Sequence, residues 1–332
     1  MIRSLVVSSS VDLNSSDFII GRNLPPEKLE QALAGGDRLW IDVVDSEEHE
    51  ITWLETQLKL HPSVVTDLRS EDRRPALLVY PRYLFLSLFQ PYNRLNKFEG
   101  KEIHCLIGEN FFVTVRKADA AAVDNAYNRV AANPLDWRQG VPYFLYLTIQ
   151  HVIDSYYPLL DKISDHLNTL EEKLMANGGK GMSRKPVYAI KQQLIALRQM
   201  VAPQREVLSS VVGAPPLSQS DEHRDLFRHL YERLLRIYDV IDSQRDLAMA
   251  VLDMMDSQES NKLALAVNRL TIISMIFLPM TFLANFFQLN FTTIAEPAVL
   301  PVNGWVLFWG IVTLMVTSAA LMIVVMRKRG WL

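Results

Sequence analysis

Five residues in an uncharged run have the types and spacing to handle a hydrated cation. Leu270, Ser274, Leu278, Thr281 and Asn285 are separated by four, four, three and four positions. That spacing lines them up on one face of an α-helix. In a symmetric ring of copies, Leu270 and Leu278 would form narrow apolar gates that close by dewetting. Ser274, Thr281 and Asn285 would offer oxygen atoms to an ion still carrying its water. Taken alone, the periodicity also fits ordinary helix–helix packing, the commoner origin of such a face, because small and polar residues turn inward there too.

Enzymatic constellations are missing, and no enzyme is expected. Lys180 sits among glycines in Asn177-Gly178-Gly179-Lys180-Gly181, but a phosphate-binding loop needs GxxxxGK[ST] after a strand, and here Gly follows the lysine. The segment reads as a turn between helices. The seven histidines are scattered with no HExxH, and no cysteine partners them for zinc. The single cysteine, Cys105, lies in an alternating apolar pattern, cannot form a disulfide within the chain and fits a reducing compartment. A net charge of −3 over 332 residues gives no nucleic-acid signal.

The elements that must hold the stripe can be read around it. The run over 269–287 approaches the roughly 20 apolar residues that a bilayer-crossing helix needs. A loop over 288–303 separates it from a second apolar run over 304–326, and Arg327-Lys328-Arg329 open the tail over 327–332. Basic residues stay on the cytoplasmic side, so both termini are expected in the cytoplasm. The opening residues hold no apolar run of signal-peptide length, so insertion is expected to rest on the C-terminal helices. Upstream, 136–268 reads as long helices: Val141 to Met175, Pro186 to Val212, and one from Ser218 or Ser220 that continues into the first span. A helix of about 65 residues would be on the order of 100 Å long and must pack against neighbours or copies of itself. The first 135 residues read as α/β. Strands are expected at Ser4–Val11, Arg38–Val44, Ala76–Tyr80, Tyr83–Gln90, Glu102–Ile107 and Asn110–Arg116, with helices near Pro26–Ala34, Ser46–Leu60 and Ala118–Ala132. The expected fold is therefore an α+β cytoplasmic domain (an α/β sandwich) over 1–135, a helical stalk region over 136–268, and two C-terminal transmembrane helices over 269–332.

Leu270-Thr271-Ile272-Ile273, Phe277-Leu278-Pro279-Met280-Thr281-Phe282, the Asn-Phe at 290–291 and the terminal basic-Gly-Trp-Leu resemble the CorA family of divalent metal-ion channels and transporters. The resemblance implies a homopentamer in the bacterial inner membrane, with a pore lined by the first span. Its cargo would be Mg²⁺ first, with a zinc- or cobalt-carrying relative or a non-conducting sensor or scaffold as alternatives. The family's Gly-Met-Asn signature at the outer pore mouth is replaced by Gln288-Leu289-Asn290, so the Asn is kept. Ala264 stands where the family shows a pore-facing Asn, and Asn285 where it shows Gly. A ring of Asn290 amide oxygens suits Mg²⁺, which sheds its waters reluctantly. Glu296 would either concentrate cations at the mouth or be an ordinary solvated loop charge. The resemblance also implies a regulatory Mg²⁺ site from Asp253 and a neighbouring subunit's Asp67, with Thr66 and His229 standing where further acids are usual. Arg327, Lys328 and Arg329 would form a basic collar. The partners implied are copies of the chain, the bilayer and divalent cations, with Mg²⁺ transported and also regulatory, and no nucleic acid.

Overall fold

The computed structural model describes residues 1–11, 19–70, 74–94, 97–117, 120–177, 182–214, 217, 220–294 and 304–329, with Asn177, 286–294, Gly304 and Leu307 described through their backbone only. The chain divides into two compact units, Met1–Asp253 and Met254–Leu332.

The first unit is built on one seven-stranded sheet. In chain order the strands are β1 (Ile2–Val7), β2 (Gly21–Arg22), β3 (Arg38–Val44), β4 (Ala76–Val79), β5 (Leu84–Arg94), β6 (Lys97–Ile107) and β7 (Phe111–Arg116). They lie in the order β2-β1-β3-β7-β6-β5-β4. β3 and β7 are parallel, with Leu39 opposite Phe111, and every other pair is antiparallel. The helices are α1 (Pro26–Ala34), α2 (Glu48–Leu58), α3 (Pro62–Arg69), α4 (Ala121–Ala132), α5 (Leu135–Arg138), α6 (Val141–Asp154), α7 (Tyr157–Asn177), α8 (Lys185–Val212), α9 (Asp221–Ile294) and α10 (Gly304–Lys328).

Alternation along β3 divides the core. Leu39, Ile41 and Val43 join the cluster closed by Leu29 of α1, Leu54 of α2 and Val64 of α3. Trp40 and Asp42 point the other way, because successive strand side chains alternate faces. Trp40 meets Phe112 and Tyr127 edge-on at 5.0 and 5.5 Å between ring centroids and stacks on Phe144 at 5.7 Å, which fastens α4 and α6 to that face. Its indole N–H donates to Thr114 Oγ1 at 3.1 Å.

Two positions further along β3 lies a fully buried carboxylate. Asp42 accepts from Thr114 Oγ1 at 2.7 Å, from Arg116 Nε at 3.2 Å and Nη2 at 3.1 Å, and from Arg3 Nε at 3.1 Å. Asp124 of α4 closes the network, receiving Arg116 Nη2 at 2.6 Å and Arg3 Nη2 at 2.8 Å. The Asp42 side chain is 0% exposed and that of Arg116 1%. Each charge is tolerable only because its partners are in place. Burial, aided by the Asp42 carboxylate, pushes the Cys105 thiol up, so this cysteine is an inert strand residue.

The expected strands and helices of the first 135 residues reappear with shifted ends; the first strand is Ile2–Val7, not Ser4–Val11. α3 was not expected. Pro62 fixes its first turn and His61 Nδ1 caps it by accepting from the Ser63 N–H at 3.2 Å. The single helix expected from Val141 to Met175 is two, α6 and α7. Pro158 has no N–H to continue the ladder. The side chain of Tyr156 is spent elsewhere, donating to the Phe89 carbonyl at 3.2 Å and accepting from Gln204 Nε2 at 2.7 Å.

Replacing Asp42 by Ala takes the buried carboxylate from Arg116 Nε and from Arg3 Nε and leaves Asp124 to offset both cations. The Asp42→Ala protein is expected to lose about 3–5 kcal/mol of stability, read as a lower urea midpoint of Trp fluorescence in the detergent-solubilised full chain. An unchanged midpoint would mean that the network contributes nothing.

Candidate functional site

Helix α9 carries the stripe, and its N-terminal part is fixed to the first unit. Phe227, Leu230, Leu234, Ile237 and Ile241 recur at spacings of three and four, and all are buried. Polar links fasten the same stretch to three other helices. Arg233 pairs with Asp154 of α6. Arg198 of α8 donates to Tyr238 Oη at 2.7 Å and pairs with Asp242 at 3.0 Å. Gln244 Nε2 donates to the Leu160 carbonyl of α7 at 3.2 Å.

In the second unit the pattern changes. Leu263, Leu265, Val267, Leu270, Ile273, Phe277, Leu278 and Phe282 are all exposed in the single subunit, Leu278 at 72%. A helix apolar on all sides belongs in a bilayer or among copies of itself. α9 and α10 are the two described helices long and apolar enough to cross a membrane.

The stripe residues Leu270, Ser274, Leu278, Thr281 and Asn285 are likewise all exposed in one subunit. Ser274 Oγ donates its proton to the Leu270 carbonyl at 2.9 Å, and Thr281 Oγ1 to the Phe277 carbonyl at 2.8 Å. With its proton committed to the backbone, each oxygen keeps lone pairs for an outside donor. A hydrated cation presents water hydrogens outward, so such a wall is matched to it. Pro279 interrupts the ladder between the two hydroxyls: it has no N–H for the Met275 carbonyl four residues earlier.

At the far end of the stripe, the loop expected from Gln288 is instead helix. α9 continues through Ile294, so Gln288, Leu289 and Asn290 occupy its last turns. Neither Gly nor Pro occurs from Asn285 to Ile294 to stop it. Gln288 therefore has a regular helical backbone and bears none of the left-handed strain that a Gly would have been needed to avoid. Glu296 lies outside the described residues.

The second span carries a feature the sequence reading missed. Trp305, Phe308 and Trp309 share one face at the start of α10, with ring centroids 6.4 and 5.7 Å apart in sequence order. The signal was available as aromatic residues at i, i+3 and i+4. Arg327 and Lys328 close the same helix, where cations favour the C-terminal dipole, and Arg329 N donates to the Val325 carbonyl at 3.0 Å. The 22 steps from Trp305 to Arg327 span about 33 Å at 1.5 Å per residue, close to the hydrocarbon thickness of a bilayer.

The two carboxylates named for regulation differ in environment. Asp67 is buried on α3 at 8% exposure, whereas Asp253 is exposed on α9. His229 is exposed beside the Leu230 packing position, and Thr66 Oγ1 donates to the Pro62 carbonyl at 3.0 Å. Among the described residues no group of three or more His, Cys, Asp or Glu side chains is arranged to hold a metal ion within one chain.

An α/β unit, a long helix whose C-terminal part is apolar, and a second apolar helix make up a chain with two candidate membrane spans. The chain belongs to the CorA-like Mg²⁺ transporter protein family, whose model matches residues 35–328. It is thus a CorA-family divalent metal transporter, in a family of ion transporters and not of enzymes. It is 28% identical over 277 residues to the putative metal ion transporter YfjQ of Bacillus subtilis (strain 168), covering 83% of this chain and 85% of that one. It is 29% identical over 284 residues to the cobalt/magnesium transport protein CorA of Thermotoga maritima, covering 82% and 77%. It is 25% identical over 288 residues to the zinc transport protein ZntB of Yersinia pestis, covering 85% of each. The complete structure of the CorA magnesium transporter from Methanocaldococcus jannaschii shares the fold, with a TM-score of 0.76 at 17% identity over 100% of this chain and 99% of that one. The full-length CmaX protein shares it with a TM-score of 0.68 at 18% identity over 96% of each chain.

The partly exposed Arg233–Asp154 pair joins α9 to α6, so its loss should loosen α9 without unfolding the sheet. Arg233→Ala is expected to raise amide hydrogen exchange over about 230–245 by several-fold, with β3 and β7 protection unchanged. Equal loss of protection in the sheet would show that this pair holds the whole unit.

Proposed function

We propose that the protein passes Mg²⁺ down its electrochemical gradient through a pore lined by the α9 stripe of several subunits, five by family resemblance. The observation that supports this reading best is the pair of hydroxyls, Ser274 and Thr281, whose protons are committed to their own backbone. Rings of such oxygens accept from the water shell of an ion that is slow to shed it. Leu270 and Leu278 supply the apolar constrictions, and the Gln288-Leu289-Asn290 turns, with Glu296 beyond them, form the mouth. Trp305, Phe308 and Trp309 rest at one interface, with Arg327, Lys328 and Arg329 at the other, cytoplasmic one. Both termini then lie inside, in a bacterial inner membrane.

The zinc transport relatives keep Zn²⁺ as a second reading. Against it, residues 269–332 contain neither His nor Cys, the nitrogen and sulfur ligands that favour zinc. Regulation by cytoplasmic Mg²⁺ would use Asp253 of one subunit, which is exposed, with Asp67 of the next.

Liposomes reconstituted with the purified protein should take up Mg²⁺ above empty-vesicle controls, and take up Co²⁺ or Zn²⁺ less readily. Zinc uptake exceeding magnesium uptake would favour the second reading, and no flux of any ion from an intact oligomer would favour a scaffold. Thr281→Val removes an acceptor ring and is expected to cut Mg²⁺ flux about tenfold. Asn290→Ala should alter ion preference; a variant with unchanged flux and preference would move the filter elsewhere.

A further inference from the structure

Helix α6 meets the N-terminal part of α9 at two points. Tyr146 packs edge-on against Phe227 at 6.5 Å between ring centroids, and Asp154, further along α6, pairs with Arg233. His151 lies between these points along the helix, one turn before Asp154. Its ring is half-buried, and its Nε2 is fully buried with no hydrogen-bond partner among the described residues.

A neutral imidazole tolerates such a place, because one of its nitrogens carries no proton. A protonated ring does not: both nitrogens then donate, and a buried N–H without an acceptor is costly. Burial accordingly holds the His151 imidazole below its ordinary range; Asp154 offsets part of this, and Arg129 of α4 adds to it. Among the described residues no strand adds a charge that acts on the ring, and Asp154 is the only carboxylate that does. Arg129 is itself held by Asp136 of α5 at 3.3 Å. Arg233 of α9 and Tyr157 of α7, which hydrogen-bonds it, face the Asp154 side of the cluster.

We propose that His151 is a proton-sensitive latch between α6 and α9. On acidification its Nε2 gains a proton and draws the Asp154 carboxylate from Arg233, which loosens the N-terminal part of α9. The opened form exposes the ring, which then binds a proton at about pH 6.5, whereas the closed form resists it. The latch therefore holds above that pH and weakens below it, by at most about tenfold per pH unit. Any effect on flux rests on the transport reading; the loosening itself does not.

The test is amide hydrogen exchange of the detergent-solubilised full chain at about pH 7.5 and about pH 5.5, corrected for the intrinsic rate at each. Protection over about 230–245 is expected to fall several-fold at the lower pH, with β3 and β7 unchanged. His151→Gln stays neutral and should keep its protection at both values. Arg233→Ala, already loosened, should lose the pH response. Circular dichroism checks that both variants fold. No fall in the wild type, an equal fall in His151→Gln, a response that survives in Arg233→Ala, or a matching loss in the sheet would each overturn the proposal.

Discussion

A helix that is apolar on every side cannot end its days in water, and most of this molecule follows from that constraint. From Leu270 to Phe282, α9 carries no charge and only three hydroxyls, Thr271, Ser274 and Thr281, and offers its side chains in all directions. Lipid can cover part of that surface and copies of the chain the rest. Earlier in the same helix the burial is one-sided, with Phe227 through Ile241 facing neighbours within the chain. One continuous element thus meets two solvents, and the α/β unit with α6, α7 and α8 gives it a fixed footing in the first of them.

The footing depends on satisfying polar groups at both depths. Asp42 and Arg116 survive burial because Arg3, Thr114 and Asp124 complete their hydrogen bonds. Ser274 and Thr281 solve the corresponding problem in an apolar helix by returning their protons to its carbonyls. The first arrangement consumes every charge it buries. The second leaves acceptors over, and those acceptors are what an ion with its water could use.

Much of this was legible in the sequence, and the failures have local causes. The spans and the strands β3 to β7 showed in periodicity because each has one regular face or a continuous apolar run. Proline was the main source of error. Pro158 divided an apparently continuous helical pattern, and Pro62 opened a helix where none was expected, its cap being a histidine and not the usual Ser, Thr, Asp or Asn. At the outer end of α9 the expectation of a loop came from the gap between the two apolar runs, whereas Gln288 is an ordinary helix former and the helix simply continues. The aromatic cluster on α10 was overlooked since its residues read equally well as filler in an apolar run. Partners that depend on distant strands, such as Arg3 for Asp42, have no local signal at all.

The central strand pair has a consequence for how the unit assembles. β3 meets β7 only after the chain has run out to the sheet edge and returned, so Asp42 and Arg116 are 74 residues apart when they pair. Closing so large a loop is entropically slow, whereas β4 to β7 form a meander of near neighbours. The meander is therefore the natural nucleus, and the β1–β3 half docks on it afterwards. Until that docking both charges remain hydrated in the nascent chain, and the pair that later anchors the core takes no part in the earliest steps of its formation.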